Sequence, residues 1–556
     1  MIGRGLKMVP LAALLLAVAC GDDSPTEPSL TAPTNVTAVA SGPTSVTVTF
    51  GTVTGASGYR VERVTGTGSF AAVGTTSTSS YEDTGLQPNT AYRYRVAALR
   101  GSDLATAAGG PFSAEAAVTT PQAGPKVAAI TADITSNRTL FADTVYTLRG
   151  FIHVANGATL TIQPGTRIEG DFNTLGSSLF IMRGAKIMAC GTATAPIVFT
   201  SSRAAGQRQP GDWGGLIIVG NARVNRGDPT IIEGTGTTAS NPPVNYGGGT
   251  NDSDNSGELC YVRVEFAGYA TAADQELNSF TFAAVGSGTK FEYLQAMSGL
   301  DDNFEWFGGT VDSKYLVSYE SGDDHFDASE GYRGRVQFMI AYQSKVLIPR
   351  TGAGNVSSDP QGFENDGCAG ANCANGQTSE PYTMPLWANF TLVGTGPGFV
   401  DATSGGYGMV LRRGTGGYYM NGVVARFPKA ALSVRDAATT TRVAAGDLIV
   451  ANILAAENGA LLHSGQQPYD TAANNVRSVT NSAASLFNLL PTDPNSGAQF
   501  DWQPPAASPA ASGGLATFPA AVAARAGTFI TPTTYRGAAA PGGTKWWAGW
   551  TTYADN

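Results

Sequence analysis

The sequence predicts an all-β protein in two units, a short antiparallel module followed by a long solenoid of coils. Three observations carry that prediction. Charged residues are sparse, at 14%, while 70 of 556 residues are glycine, a profile that suits short strands and tight turns rather than helices. Between residues 32 and 121, apolar and polar residues alternate with period two. Beyond residue 127, short β-runs ending in glycine recur at intervals near twenty residues, as expected when each coil buries its inward side chains on the next. The chain is too long for one compact domain. Its formal net charge of −9 argues against nucleic acid as a partner, which needs a basic face.

Residues 1–19 read as a secretory signal. Arg4 and Lys7 form a basic region, and Val9 to Ala19 is apolar but too short to span a bilayer stably. The run Leu16-Ala17-Val18-Ala19-Cys20-Gly21-Asp22-Asp23 resembles a bacterial lipoprotein signal, in which the cysteine after the cut is diacylated. Ala17 departs from the Leu usual in that family. The resemblance implies lipidation at Cys20 and an exported protein, lipid-anchored at the bacterial outer membrane or cell surface and touching the membrane through its lipid only. Residues 20–31 then form a polar tether. Five cysteines suit such a protein with at most two disulfides. Cys368 and Cys373 share a Gly/Asn loop and can close a small ring, whereas Cys190 and Cys260 read as buried thiols or a pair.

In residues 32–121 the runs SVTVTF (45–50), GYRVERV (58–64), YRYRVAAL (92–99) and AEAAVTT (114–120) alternate as strands with one buried face. The segment Leu86-Gln87-Pro88-Asn89-Thr90-Ala91-Tyr92 resembles the corner of fibronectin type III domains, which implies a β-sandwich with the Tyr92 hydroxyl bonded back to the chain. Phe50 stands where that family often has Trp. Such a module implies a spacer or a binder. Residues 122–126 are a linker.

Within residues 127–556, Ile162 and Ile181, Gly165 and Gly184, and Ile168 and Ile187 are each 19 apart. YVRVEFAG (261–268), FEYLQAMSG (291–299) and YLVSYESG (315–322) repeat a strand that ends in glycine, and Arg412 and Arg435 are 23 apart. The phrase from Gly157 to Ile168 resembles the opening coils of secreted bacterial right-handed parallel β-helices. With GDWGG (211–215), DNSG (254–257), DDNFEWFGGTV (301–311), LRRG (411–414) and a Trp-rich tail, the chain is similar to a large, largely uncharacterised group of exported bacterial β-helix proteins. That resemblance implies a right-handed parallel β-helix and no particular activity. Solenoid ends need covering. Thr131 to Thr147 is the expected cap at the start. The stretch with Trp546, Trp547 and Trp550 is the expected cap at the end, and a sugar-stacking platform is the alternative for that trio.

The densest chemistry lies between Gly299 and Gly331, which holds nine carboxylates and one lysine, a net −8. Asp301-Asp302-Asn303-Phe304-Glu305 is echoed 22 residues later by Asp323-Asp324-His325-Phe326-Asp327. If 22 residues make one coil, Asp301 stacks on Asp323, Asp302 on Asp324, Phe304 on Phe326 and Glu305 on Asp327, at about 4.8 Å. Like charges that close repel by about 1 kcal/mol even in water. Glu276 aligns with the Asp pair one coil earlier, and Glu364 and Asp366 extend the pile after a longer loop. Three readings are open. A hard cation, Ca²⁺, takes oxygens from Asp301, Asp302, Glu305, Asp323, Asp324, Asp327, Glu364 and Asp366. Two carboxylates flank a sugar as acid and base. The acids point alternately inward and outward, bond at turns and bind nothing. Such ladders resemble the calcium sites of pectate-lyase-like enzymes, a resemblance that favours the first two and leaves the third open.

A weaker calcium candidate is Asp252, Asp254 and Ser256 before Gly257, matching four positions of a calcium loop whose twelfth position holds Arg263 instead of Glu. Arg412, Arg413 and Arg435 fall on neighbouring coils. Lyases of this fold use an Arg or Lys as proton acceptor, so Arg412 with Asp302 and Asp324 are the catalytic candidates. The alternative pairs Arg413 with Asp436 or with the acids. His153, His325 and His463 are scattered, and no zinc cluster, Ser-His-Asp set or phosphate loop is legible. The function expected is a calcium-stabilised cell-surface lipoprotein that binds an extracellular polymer, polysaccharide foremost. A polysaccharide lyase or glycosidase, or a structural or adhesive protein, are the alternatives. An open groove with Arg412 in reach speaks for catalysis; a loop-covered ridge speaks against it.

Overall fold

The computed structural model describes residues 29–357, 360–368, 370–396, 406–490 and 500–553. The signal segment, the tether up to residue 28 and the lipidation candidate Cys20 lie outside the described residues. The chain divides into two compact units, Met1–Gly124 and Pro125–Asn556.

In the first unit, Thr37–Gly42, Ser45–Thr49 and Ser80–Thr84 form one antiparallel sheet. Ala71–Thr76, Gly58–Thr65, Ala91–Arg100 and Ala108–Phe112 form the other, with Ala116–Thr119 also on Ala91–Arg100. Alternation puts Val46, Val48, Val61, Tyr94 and Val96 wholly inside. The corner bond is present: the Gln87 backbone N–H donates to the Tyr92 hydroxyl at 2.9 Å. Phe50 packs its ring 4.7 Å from Tyr59.

The second unit is a β-solenoid. Its strands pair in parallel, coil on coil, in a sheet of 17 strands and a sheet of nine. The nine-stranded sheet includes Gly215–Val219, Phe280–Ala283, Phe304–Phe307, Phe326–Ser329, Gln361–Asp366 and Tyr407–Arg412, in that order. Its inward positions form an aromatic column. Phe280 stacks on Phe304 at 5.0 Å, Phe304 on Phe326 at 5.2 Å, and Phe326 meets Phe363 edge-on at 5.8 Å. Each such pair contributes about 0.5–1.5 kcal/mol beyond its buried area. The long strands of the other sheet, Gly257–Glu265, Lys290–Gly299, Asp312–Ser321 and Arg335–Tyr342, each turn a corner at an aromatic residue with left-handed backbone: Tyr261, Tyr293, Tyr315 and Phe338, at φ of 50–67°. Coil stacking holds these residues in a conformation that costs energy in isolation.

Both expected end caps are corrected. Lys126–Ile130 already pairs with Thr144–Leu148, and Arg138–Leu140 with Thr159–Ile162, so residues 131–147 belong to the opening coil itself. The tail with Trp546, Trp547 and Trp550 is a lateral strap over the outside of the long sheet. Gln337 exchanges two hydrogen bonds with the Thr531 backbone, at 2.7 and 3.1 Å, and Gln295 does the same with Thr552, at 2.6 and 2.9 Å. Arg263 donates to the Trp550 carbonyl. The reason is an apolar stripe. Tyr261, Tyr293, Tyr315 and Phe338 stack at 4.4, 4.4 and 5.1 Å down the outer corner, and Trp550 meets the first two edge-on. A cap at the end would leave that stripe wet. Trp547 and Trp550 are buried there, so their faces are spent on packing rather than offered to a sugar.

Candidate metal centre

The 22-residue echo is one coil. Glu305 stands opposite Asp327, and Asp327 opposite Glu364, at the same position of three successive strands. Their neighbours Phe304, Trp306, Phe326 and Phe363 fill the core, so strand alternation sends the carboxylates outward. At the turn before these strands a second ladder runs through side-chain oxygens. The Asp302 carboxylate accepts the Asp324 backbone N–H at 2.8 Å, and the Asp324 carboxylate accepts that of Gln361 at 2.6 Å. Asn278 Oδ1 does the same for the Asp302 N–H, and Gln361 Oε1 for that of Tyr407. Asn303 and His325 point the other way and meet at Ser318, at 2.8 and 2.6 Å.

The two ladders converge into three overlapping carboxylate groups, each with oxygens within 4.8 Å of one another: Asp301, Asp302 and Asp323; Asp302, Glu305 and Asp327; Asp324, Asp327 and Glu364. Asp302, Glu305, Asp324, Glu364 and Asp366 are each at most 9% exposed. Burial, then the neighbouring carboxylates, push Asp301, Asp302, Glu305, Asp324 and Asp327 well above the ordinary carboxylate range. Burial and Asp366 push Glu364 up to about 8 against the opposing pull of Arg412.

Compensation is one-sided. Arg412 grips Glu364 and, through Nε at 2.7 Å, Asp366. Arg413 also pairs with Asp366, and its backbone N–H goes to Asp436. Among the described residues no Lys or Arg pairs with Asp302, Glu305, Asp324 or Asp327. Glu305 accepts from the Asn278 amide, and Asp327 Oδ1 is buried with no hydrogen-bond partner. An all-oxygen set with an orphaned carboxylate oxygen fits a hard cation such as Ca²⁺, which takes six to eight oxygens at about 2.3–2.6 Å.

The sheet is roofed as far as the Glu305 strand. The excursion between Gly215–Val219 and Gly257–Glu265 lays Ile232, Val244 and Tyr246 on Phe180, Ile217, Ala283 and Phe307 of the nine-stranded sheet. It brings in Glu233, which sequence reasoning missed because nothing around it repeats. Burial, then Glu276 and Asp323, push the Glu233 carboxyl up to about 7. Glu276 does not occupy the coil position of the Asp pair. Phe280 pairs with Phe304, so Asn278 precedes its strand as Asp302 does, and that match was readable from the sequence. Glu276 instead lines a recess of about 580 Å³ with Asp274, Asp301 and Asp323.

The remaining candidates have other partners. Asp252 is held by Arg223, with Nε at 3.0 Å, and by Arg333 at 3.1 Å. Burial opposes its ionisation, but these bonds win and hold it well below the usual carboxylate range. Asp254 accepts from the Ser256 hydroxyl at 3.2 Å. The Asp252 carboxylate is therefore spent on two guanidinium groups, and the Asp254 carboxylate on the Ser256 hydroxyl. Burial alone would lower the pKa of Arg412, but Asp366 and Glu364 raise it further, so the guanidinium stays charged and has no lone pair to act as a base. Arg435 lies 5.0 Å from the Tyr407 ring, whose hydroxyl meets His463 at 3.1 Å. His153 pairs with Asp133. Cys190–Cys260 and Cys368–Cys373 are disulfides.

The profile described as a pectate-lyase-like beta helix domain matches residues 132–490, and the fibronectin type III profile matches residues 31–107. No curated protein matches. Similar solved structures are fibronectin type III domains. An Fn3-like protein from Clostridium thermocellum is 28% identical over 17% of this chain and 98% of its own, with a TM-score of 0.15. The FN5 domain of Drosophila Lar is 27% identical over 16% and 96%, with a TM-score of 0.14. The chicken CNTN1 FN1-FN3 structure is 22% identical over 17% of this chain and 33% of its own, with a TM-score of 0.15, so this chain spans about a third of it. The first of the two profile matches takes in more than half of the sequence, and the chain belongs to the pectate-lyase-like beta-helix domain family, with a fibronectin type III domain ahead of the solenoid.

Proposed function

We propose that this protein binds an extracellular polysaccharide and that its solenoid is stabilised by Ca²⁺ held in the carboxylate ladder. The carrying observation is the set of three overlapping, buried carboxylate groups in which, among the described residues, no Lys or Arg pairs with Asp302, Glu305, Asp324 or Asp327. The family supports a carbohydrate-related role. Binding is favoured over catalysis because Asp302 and Asp324 are buried and hold backbone amides, and Arg412 is clamped. Export and a lipid on Cys20 complete the reading, and a Cys20→Ser chain should lose labelling by fatty acid and leave the membrane fraction.

Thermal melting with a calcium chelator, then with added Ca²⁺, tests the cation. A ligand at a hundred times its Kd adds about 2.7 kcal/mol, so the melting temperature should rise clearly, and an unchanged one sinks tight calcium binding. One observation keeps a second reading open: the recess beside Asp301 and Asp323 has room for a sugar, and Glu233 titrates near neutrality. A glycosidase or lyase there would release reducing ends or unsaturated sugars from a polysaccharide panel. Binding without any product supports the first reading.

A further inference from the structure

The long sheet carries a second set of ligand-type side chains on its outer face. Lys186–Cys190 runs parallel to Gly257–Glu265, with Met188 opposite Glu258 and Cys190 opposite Cys260. Ile187, Ala189 and Leu259 are fully buried, so alternation turns Met188 and Cys190 outward, and Met188 is 38% exposed. The two sulfurs and a Glu258 oxygen lie within 4.8 Å of one another. Glu258 is already engaged, with Lys290 Nζ at 2.9 Å. What remains is two cysteine sulfurs with a thioether on the same face.

We propose that, with the Cys190–Cys260 disulfide reduced, Cys190, Cys260 and Met188 form a site for a soft monovalent metal ion, Cu(I), which the disulfide form closes. A dithiol reductant breaks the S–S bond, gives two electrons and two protons to the cysteines, and itself becomes a disulfide. Cu(I) then displaces both thiol protons to form two Cu–S bonds, and Met188 donates its neutral thioether. Thiolate and thioether ligands select Cu(I), whereas Zn²⁺ demands four good ligands and Glu258 is held by Lys290. The resulting site has a net charge of −1 beside the Lys290 ammonium. The carboxylate ladder is all oxygen, so the two sites sort cations by softness.

The test uses the full chain with Cys20→Ser, Cys368→Ser and Cys373→Ser, which leaves Cys190 and Cys260 and their one disulfide. It is reduced by a phosphine, freed of the reductant without air, and titrated with Cu(I) against a chromogenic Cu(I) chelator. One Cu(I) per reduced chain is expected, none per oxidised chain, and none when Cys190→Ser and Cys260→Ser are added. Met188→Leu, at an exposed position, should weaken binding by at least about tenfold. Uptake by the oxidised or serine-substituted chain, no uptake by the reduced chain, or displacement of Cu(I) by equimolar Zn²⁺ overturns the proposal. An unchanged affinity in Met188→Leu overturns the thioether ligand.

Discussion

The two ends of the carboxylate ladder answer the same electrostatic problem differently. At Glu364 and Asp366 the acids are gripped by Arg412 and Arg413, projected from the next coil, which oppose but do not cancel the effect of burial on Glu364. Two coils earlier, Asp302 and Glu305 face Asp324 and Asp327, none of which pairs with a Lys or Arg among the described residues, and Asp327 Oδ1 is buried there without a hydrogen-bond partner. Both ends sit on the same sheet, in register, and are similarly buried. A fixed cation offsets part of the charge at one end. The other end needs protons or a diffusible cation, and that dependence turns a structural ridge into a candidate calcium site.

The largest effect should come from breaking the Arg-clamped end. Arg412→Gln leaves Glu364 and Asp366 buried without their main partner and should cost about 3–5 kcal/mol in chemical denaturation. A loss under 1 kcal/mol would mean that the Arg clamp is idle. Calcium held by the Asp324, Asp327 and Glu364 group should rescue this variant only in part, because Asp366 loses the Arg412 Nε bond as well.

The pH dependence sharpens the contrast. Glu364 and its neighbours have raised pKa values when folded, so the native state holds protons that the unfolded chain has released. Without calcium, stability should be greatest below about pH 4.5 for this group and fall as pH rises toward about 8, where Glu364 titrates. Added calcium should flatten that fall. Asp252 has the opposite sign: its stabilisation is present above the unfolded carboxylate pKa and is lost in acid. A calcium-free stability that rises steadily from pH 5 to pH 8 would contradict the ladder's assigned sign.

Asp327→Asn should separate charge from packing. It removes repulsion worth about 1 kcal/mol or more, so the calcium-free protein should melt higher while its response to calcium shrinks. A lower melting temperature together with a full calcium response would show that Asp327 is no ligand. The smallest effect belongs to Asp254→Asn, which changes a turn carboxylate that accepts from the Ser256 hydroxyl. Stability should move by no more than about 0.5 kcal/mol, with chelator sensitivity unchanged.

Part of this was legible because coil length is a local property. The 22-residue echo correctly stacked Glu305 on Asp327 and Phe304 on Phe326, since a parallel coil returns the chain to the same phase. The same logic failed at Glu276. That coil is longer, and counting from the acidic residue instead of from the aromatic strand placed Glu276 where Asn278 belongs. The Asp252 loop misled for another reason: its spacing is that of a calcium loop, but Arg223 and Arg333 arrive from elsewhere in the chain.

The sequence by itself determined the two units, the strand alternation, the coil period and the vertical stacking of acids and aromatics. Each of these follows from side-chain period and turn residues within a few dozen positions. Only the tertiary structure decided what covers the outer faces. Glu233 arrives on a long excursion, and the Trp-bearing tail runs back along the stacked tyrosines instead of closing the end. Such coverings are set by which apolar stripe is left to bury and which polar side chains can hold a passing backbone. Those are properties of the assembled surface, and no repeat within the chain encodes them.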